Sequence, residues 1–251
     1  MKIAICLYGQ PRLYKEGYSV IKDFMEHNDD CVFDFFFHTW YSESLVGQHY
    51  QCAPWRNIKQ EDLLIKENTI TNLIDLYKPK KFMYEPPKIF DANNYINSEI
   101  YINSSEIFKQ NANNTLSALY SRNCVSCLLQ SYVDNIEKYD IVISIRFDFL
   151  NKLNFKLKTM QNNKINVMNV LPRLYIADNM VITNFDNFIK YSNAFNNLDK
   201  IFVNIEYKKY LEDIQCGYNF INESLTTANL LIYYNDLRDV ICMNSYVPNF
   251  C

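Results

Sequence analysis

The chain has 251 residues, of which 49% are hydrophobic, and this length suits one large α/β domain over residues 1–251. The net charge is −3, from 25 Lys and Arg residues against 28 Asp and Glu residues without a basic block, which argues against a nucleic acid partner. The apolar runs are shorter than the roughly 18 to 20 residues of a membrane helix, so we expect no transmembrane segment. The first segment does not resemble a signal peptide, and the cysteines are scattered. These features predict a cytoplasmic protein.

Strands and helices alternate along the first half of the chain. Apolar or aromatic runs predict strands, and apolar residues at helical spacing predict helices. Pro79 ends the second helix, and two prolines close the third strand. The predicted elements are strand 3–8, helix 13–27, strand 32–37, a helix near 59–77 and a strand in KKFMYEPP.

The pattern continues after an Asn- and Ser-rich stretch, residues 86–112, which we interpret as irregular. A strong helical pattern covers 115–138, and the unbroken apolar run 141–145 predicts a central parallel strand that is buried on both faces. Further on, MVIT predicts a strand, and a helix begins at Glu223. This order of elements predicts an α/β fold with an open, mostly parallel sheet.

Open α/β sheets bind ligands beyond the carboxyl ends of their strands. Three polar clusters fall at such ends, namely Gly9 to Arg12, His38 to Trp40, and Arg146 to Asp148. We therefore expect a ligand site at this edge.

The first cluster, GQPR, has two explanations. Gly9 and Pro11 suit a tight turn between a strand and a helix. Arg12 at a helix start would instead sit where a diphosphate also meets free backbone N–H groups. We favour the second explanation, which makes the turn part of a nucleotide site.

The second cluster also has a structural and a functional explanation. His38 is either a hydrogen-bonded histidine at a strand end or a group that contacts the ligand. Trp40 offers an aromatic face on which a base can stack.

In the third cluster, Arg146 and Asp148 are two residues apart, so in a strand they project to the same side. They either form a lone salt bridge or face the ligand. Asp148 is a candidate ligand for a divalent cation, and Arg146 is a candidate partner of a diphosphate.

The helix at 115–138 carries Ser121 in its predicted first two turns, and its amino end is expected to point to the same edge. Cys124 and Cys127 form a Cys-x-x-Cys on this helix. Because no second such pair completes a zinc site, we interpret both as structural thiols.

Six motifs occur in an order that resembles a family: CLYGQPR, DFFFHTW, APWRN, YDIVISIRFDF, IADNMVI and NESL. The sequence resembles glycosyltransferases with the GT-A type of fold, encoded by large DNA viruses and bacterial surface-polysaccharide loci, over about residues 2–235. The resemblance implies a GT-A-like, Rossmann-related three-layer α/β/α sandwich. Its nucleotide-binding half would be about 1–150, and its acceptor and sugar half about 151–251.

The resemblance implies transfer of a sugar from a nucleoside-diphosphate sugar, UDP-sugar favoured, to a glycan or other hydroxyl acceptor. The implied cofactor is a divalent cation, Mn or Mg, on Asp148. Because Arg146 stands where such folds commonly carry the first Asp of an Asp-x-Asp signature, metal dependence is open and Arg146 is an alternative neutralising group. The expected nucleotide-binding residues are Tyr8, Gly9, Gln10, Arg12, His38, Thr39, Trp40, Ser121 and Arg146.

For catalysis, Asp178 is the first candidate for the general base and Glu223 the second. Their structural alternatives are a turn-forming Asp-Asn pair and a helix-start acid behind Asn222. Trp55 and Arg56, in the loop after the second strand, are candidates for acceptor recognition.

Two other classes of function compete with this interpretation. A sulfotransferase-like enzyme would also place Gly and Arg after its first strand, although with a longer glycine- or serine-rich loop than GQPR. A non-catalytic carbohydrate-binding or assembly protein could retain the same fold. Release of nucleoside diphosphate from a nucleotide sugar distinguishes an enzyme from such a binding module.

Overall fold

The computed structural model describes residues 1–50, 58–91, 106–133, 138–167, 170–171, 175–176, 180–198 and 240–242. The strands are β1 (Lys2–Gly9), β2 (Val32–Trp40), β3 (Lys81–Glu85), β4 (Ile141–Arg146), β5 (Ile165–Val167), β6 (Val170–Leu171), β7 (Tyr175–Ile176), β8 (Met180–Thr183) and β9 (Val240–Cys242). The helices are α1 (Tyr14–His27), α2 (Gln60–Leu63), α3 (Thr69–Tyr77), α4 (Glu106–Val133) and α5 (Phe185–Ser192). In the described part of the chain, no helix has both the length and the apolar character needed to cross a membrane.

The described strands form a seven-stranded sheet in the order β3-β2-β1-β4-β8-β5-β9 and a separate pair, β6-β7. The neighbours β3, β2, β1 and β4 are parallel. β8 runs antiparallel to β4 and to β5, and β9 is parallel to β5. The prediction of an α/β fold with a mostly parallel sheet is therefore confirmed, with β8 as the one reversed strand among the seven described strands of this sheet.

Helices cover both faces of the sheet. Successive residues of a strand face opposite sides, and both sides of β1 are apolar. Ile3, Ile5 and Leu7 belong to a core shared with α1 and α3. On the other side, Ala4 and Cys6 belong to a core shared with α4 and α5. The three-layer α/β/α arrangement is confirmed.

Helix α4 begins at Glu106, nine residues before its predicted start. Residues 106–112, predicted to be irregular, are helical. The Asn-rich sequence has weak helix propensity, but Ala112 and Leu116 are 1% and 0% exposed, so packing outweighs propensity here. Ser121 consequently lies in the middle of the helix and not in its first two turns.

The predicted helix near 59–77 is two helices, α2 and α3. Between them the backbone pairs with an earlier segment: Ile65 N donates to Gln48 O at 2.8 Å, and Tyr50 N donates to Leu63 O at 2.8 Å. These hydrogen bonds replace the helical ones and account for the break.

Candidate functional site

The carboxyl ends of β1, β2, β3 and β4 meet at one edge of the sheet. The strands are parallel, and their register places Tyr8 beside both His38 and Arg146. Thr39 is beside Tyr84 in the same way. The structure therefore brings the three predicted polar clusters to the same edge, although His38, Thr39 and Trp40 lie inside β2 and not beyond its end.

Gly9 has a φ of +92°, a backbone conformation that L side chains rarely adopt. Both of its backbone polar groups bond to side chains from other elements. Gly9 N donates to Ser121 Oγ at 2.8 Å, and Thr39 Oγ1 donates to Gly9 O at 2.9 Å. The tight-turn explanation thus accounts for this glycine, and its amide is engaged within the protein.

The segment after Gly9 is not the first turn of a helix. α1 begins at Tyr14, so Pro11 and Arg12 precede it. Leu13 adopts a left-handed conformation with a φ of 49°, and Arg12 N donates to Gln10 O at 2.9 Å. Arg12 is thus held by a compact turn before the helix, and α1 begins one residue after its predicted start at residue 13.

Gly17 fixes how closely α1 approaches the segment after β4. A Cβ at this position would lie 2.0 Å from the backbone oxygen of Phe147. Only glycine permits this contact, which holds the turn that carries Arg12 against the chain that carries Asp148.

Arg12, Asp148 and Arg146 form a buried ionic group that we call the arginine cluster. Arg12 Nη2 donates to Asp148 Oδ2 at 2.7 Å. Arg146 Nε donates to Oδ1 at 2.9 Å, and its Nη2 donates to Oδ2 at 3.1 Å. The side chains of Arg12 and Asp148 are 9% and 2% exposed, whereas that of Arg146 is 20% exposed.

The surroundings of Asp148 do not fit a hard divalent cation. Both of its oxygens accept hydrogen bonds from guanidinium groups, and a metal ion would have to displace these positive charges. Among the described residues, two guanidinium groups share this one carboxylate. The arrangement suits an anionic ligand better than Mn²⁺ or Mg²⁺.

A second group lies at the ends of β2 and β3, and we call it the histidine cluster: His38, Glu85, Lys88, Tyr120 and Cys124. His38 Nδ1 is 2.7 Å from Ser121 Oγ, and its Nε2 is 3.1 Å from Glu85 Oε1. Burial lowers the pKa of His38 to about 4 against the opposing effect of Glu85. The imidazole is therefore neutral at pH 7, with its proton on Nε2 facing Glu85 and Nδ1 accepting from Ser121.

Glu85 links this histidine to a lysine. Lys88 Nζ lies 2.6 Å from Glu85 Oε2 and 4.2 Å from the centre of the Tyr120 ring. Burial opposes ionisation of Glu85, but hydrogen bonds from Lys88, Tyr120 and His38 lower its pKa below the usual value. Burial raises the pKa of Cys124 to about 11, so its thiol is protonated at pH 7.

Ser121, His38 and Glu85 are the residue types of a hydrolytic triad, but their setting does not suit a nucleophile. Ser121 and His38 are 0% exposed, and Ser121 Oγ accepts the Gly9 N–H. A substrate carbonyl has no room to approach this oxygen. The group instead ties β1, β2, β3 and α4 together.

The predicted nucleotide-binding residues differ widely in accessibility. Gly9 and Gln10 are partly exposed, as is Arg146. Trp40 is 2% exposed, and its ring stacks on Tyr120 with 5.7 Å between centroids. The predicted residues that are at most 2% exposed are Tyr8, His38, Thr39, Trp40 and Ser121.

Four predicted site residues lie outside the described residues: Asp178, Glu223, Trp55 and Arg56. Conversely, sequence reasoning missed Glu85, Lys88 and Cys124 as members of a polar cluster. Glu85 is the last residue of β3, which ends at the same edge of the sheet as β1, β2 and β4. This position at a strand end is the sequence signal that could have identified it.

No protein-family model matches the chain, and neither does any curated protein. Solved structures do match. The galactosyltransferase LgtC in complex with donor and acceptor sugar analogues is similar at 10% identity and a TM-score of 0.40, over 96% of this chain and 73% of that one. A candidate nucleotide-diphospho-sugar transferase from Desulfovibrio desulfuricans G20 is similar at 8% identity and a TM-score of 0.38, over 96% of this chain and 78% of that one. An active-site mutant of LgtC is similar at 10% identity and a TM-score of 0.39, over 100% of this chain and 79% of that one.

Proposed function

We propose that the chain is a glycosyltransferase that moves a sugar from a nucleoside-diphosphate sugar, UDP-sugar favoured, to a hydroxyl of a glycan acceptor. The observation that carries this proposal is the arginine cluster at the carboxyl edge of the sheet. Parallel α/β sheets bind nucleotides at this edge. The order of the sequence motifs supports the same function.

The arginine cluster has the chemistry that a diphosphate requires. A guanidinium presents a planar fork of N–H donors that matches two phosphate oxygens. Asp148 holds both forks in place through hydrogen bonds at 2.7, 2.9 and 3.1 Å. Because this carboxylate is buried and its side chain is 2% exposed, it acts as a positioning residue.

In glycosyl transfer the nucleoside diphosphate departs with growing negative charge. Positive groups already in place at that point stabilise the transition state more than the ground state. Arg146, the more exposed of the two arginines, is the group we expect to contact the phosphates directly. Removing one such donor typically costs about 3 kcal/mol in the reaction barrier, or roughly a hundredfold in rate.

The remaining roles follow from the resemblance. We propose Asp178 as the general base, Glu223 as the second candidate, and Trp55 and Arg56 as acceptor contacts. The acceptor hydroxyl must reach the base at hydrogen-bond distance for the proton to transfer as the new glycosidic bond forms.

Thermal melting of the purified chain against nucleoside diphosphates and nucleotide sugars tests the donor site. A ligand at a hundred times its Kd adds about 2.7 kcal/mol to the stability of the folded state. We expect UDP or a UDP-sugar to raise the melting temperature equally with and without Mn²⁺. Arg146→Ala should abolish the rise.

Lys88→Met is the matched control, because it removes a cation from the same edge but outside the arginine cluster. It should leave the rise intact. No rise with any nucleotide, or an unchanged rise in Arg146→Ala, would contradict the donor site. Release of nucleoside diphosphate from the bound nucleotide sugar then separates an enzyme from a carbohydrate-binding protein.

A further inference from the structure

The histidine cluster contains three side chains with metal-binding atoms. His38, Glu85 and Cys124 each offer one ligand atom, and these atoms all lie within 4.8 Å of one another. They come from β2, β3 and α4, which are far apart in sequence. We infer that these three residues form a binding site for a transition metal ion of the zinc class. The inference does not depend on the proposed glycosyltransferase activity.

The donor set selects the class of metal. An imidazole nitrogen and a thiolate sulfur are preferred ligands of Zn²⁺ and similar ions, and a carboxylate oxygen is a common third ligand. Mg²⁺ and Mn²⁺ prefer oxygen ligands. The site is therefore chemically distinct from the divalent cation that the sequence resemblance implies.

The ligand spacing is close to that of a metal site. His38 Nε2 and Glu85 Oε1 are 3.1 Å apart. Two such ligands on a tetrahedral zinc ion are roughly 3.3 Å apart, so these groups need little movement. The sulfur of Cys124 lies within 4.8 Å of a ring nitrogen of His38 and of a carboxylate oxygen of Glu85.

Ser121 supplies the outer contact that a histidine ligand needs. When Nε2 binds a metal, the proton of the imidazole moves to Nδ1, which lies 2.7 Å from Ser121 Oγ. The Ser121 hydroxyl then donates to the backbone oxygen of His38, 3.4 Å away. Both ring nitrogens of His38 are satisfied in this arrangement, and the Gly9 N–H keeps its acceptor.

Lys88 pairs with Oε2 of Glu85, the oxygen that does not face His38, and its ammonium competes with a metal ion for the charge of this carboxylate. Its side chain is 42% exposed, so it can move into solvent when the ion binds. Water then takes the fourth position. Binding also releases the thiol proton of Cys124 to solvent, so affinity should rise about tenfold per pH unit while the free thiol is protonated.

Titration of the purified chain with Co²⁺ tests the site without nucleotide. We expect one equivalent to produce thiolate-to-cobalt absorption together with the strong visible bands of tetrahedral cobalt. Added Zn²⁺ should remove both signals by displacement, and excess Mg²⁺ should not. Cys124→Ser should abolish the thiolate band, whereas Cys127→Ser, in the next turn of the same helix, should retain it.

Lys88→Met removes the competing ammonium and should tighten Co²⁺ binding at least several-fold. Glu85→Gln should weaken it, which provides a second variant if Cys124→Ser fails to fold. Retention of the thiolate band in Cys124→Ser would overturn the inference, and so would its loss in Cys127→Ser. Absence of a band at one equivalent in the unaltered chain would overturn it too. None of these outcomes bears on nucleotide binding.

Discussion

The arginine cluster and the histidine cluster lie at the same edge of one sheet, yet their charges differ. The arginine cluster holds two cations on one carboxylate. The histidine cluster pairs Glu85 with Lys88, and its imidazole is neutral because burial lowers the pKa of His38 to about 4. Among the described residues, the first group therefore has more cationic than anionic side chains, whereas the second pairs one cation with one anion.

The covering elements cause this difference. The turn before α1 brings a second arginine to Asp148, since Gly17 lets α1 approach the Phe147 backbone. α4 instead lays Tyr120, Ser121 and Cys124 over the ends of β2 and β3. Strand ends that look alike in sequence thus acquire different chemistry from the helix that packs beside them.

Removing the carboxylate of Asp148 should have the largest effect on stability and should distinguish the arginine cluster most clearly from the histidine cluster. Asp148→Ala removes the carboxylate that accepts hydrogen bonds from both Arg12 and Arg146. We expect the free energy of unfolding to fall by about 3 to 5 kcal/mol, measured by urea denaturation. Lys88→Ala removes one partner of a pair that is 42% exposed on the lysine side and should cost less than about 1 kcal/mol. Equal costs would refute the distinction between the two regions.

The neutral imidazole predicts a pH effect in the histidine cluster. The pKa of His38 is about 4 in the folded chain and 6.5 in the unfolded chain. Between these values the unfolded state binds the proton and the folded state does not, so stability falls as pH falls from 6.5 to about 4. The full loss is about 3 kcal/mol.

His38→Asn supplies the control, because an amide oxygen can accept from Ser121 but does not titrate in this range. Urea denaturation at several pH values should show a shallower loss in the variant than in the unaltered chain. Identical slopes between pH 4 and 6.5 would mean that His38 is not the titrating group.

The contact at Gly17 predicts a smaller effect on the arginine cluster. Gly17→Ala forces α1 away from the Phe147 oxygen, which would lie 2.0 Å from the new Cβ. We expect a stability loss of about 1 to 3 kcal/mol and a weaker UDP-induced rise in melting temperature. Ser19→Ala, at an exposed position of the same helix, should change neither quantity. An unaltered nucleotide response in Gly17→Ala would show that the closeness of this contact does not position Arg12.

The sequence predicts the parts of this molecule that depend on local pattern. The apolar runs of β1, β2 and β4 are strong enough to locate three neighbouring strands and their polar ends. The reversed direction of β8 leaves no comparable pattern in its four residues, MVIT. The early start of α4 is equally hidden, because its first turns are Asn-rich and are stabilised by tertiary burial of Ala112 and Leu116.

In the candidate site, too, the residues at strand ends are predicted from local sequence, whereas their contacts depend on tertiary packing. Arg12, Arg146 and Asp148 are each predicted from their strand ends, but the hydrogen bond between Arg12 and Asp148 depends on the approach of α1. Glu85 and Cys124 are separated by 39 positions in the sequence. Only the packing of α4 on β3 brings them together, so no spacing rule finds them.

Gly9 forms its full set of hydrogen bonds only when α4 is packed against the sheet. Its N–H donates to Ser121 of α4 and its carbonyl accepts from Thr39 of β2, so three distant parts of the chain secure one residue. During folding, the turn cannot be locked before α4 docks on the sheet. The Gly9 amide proton should therefore exchange with solvent deuterium only when the helix lifts away, and its exchange rate measures how often that happens.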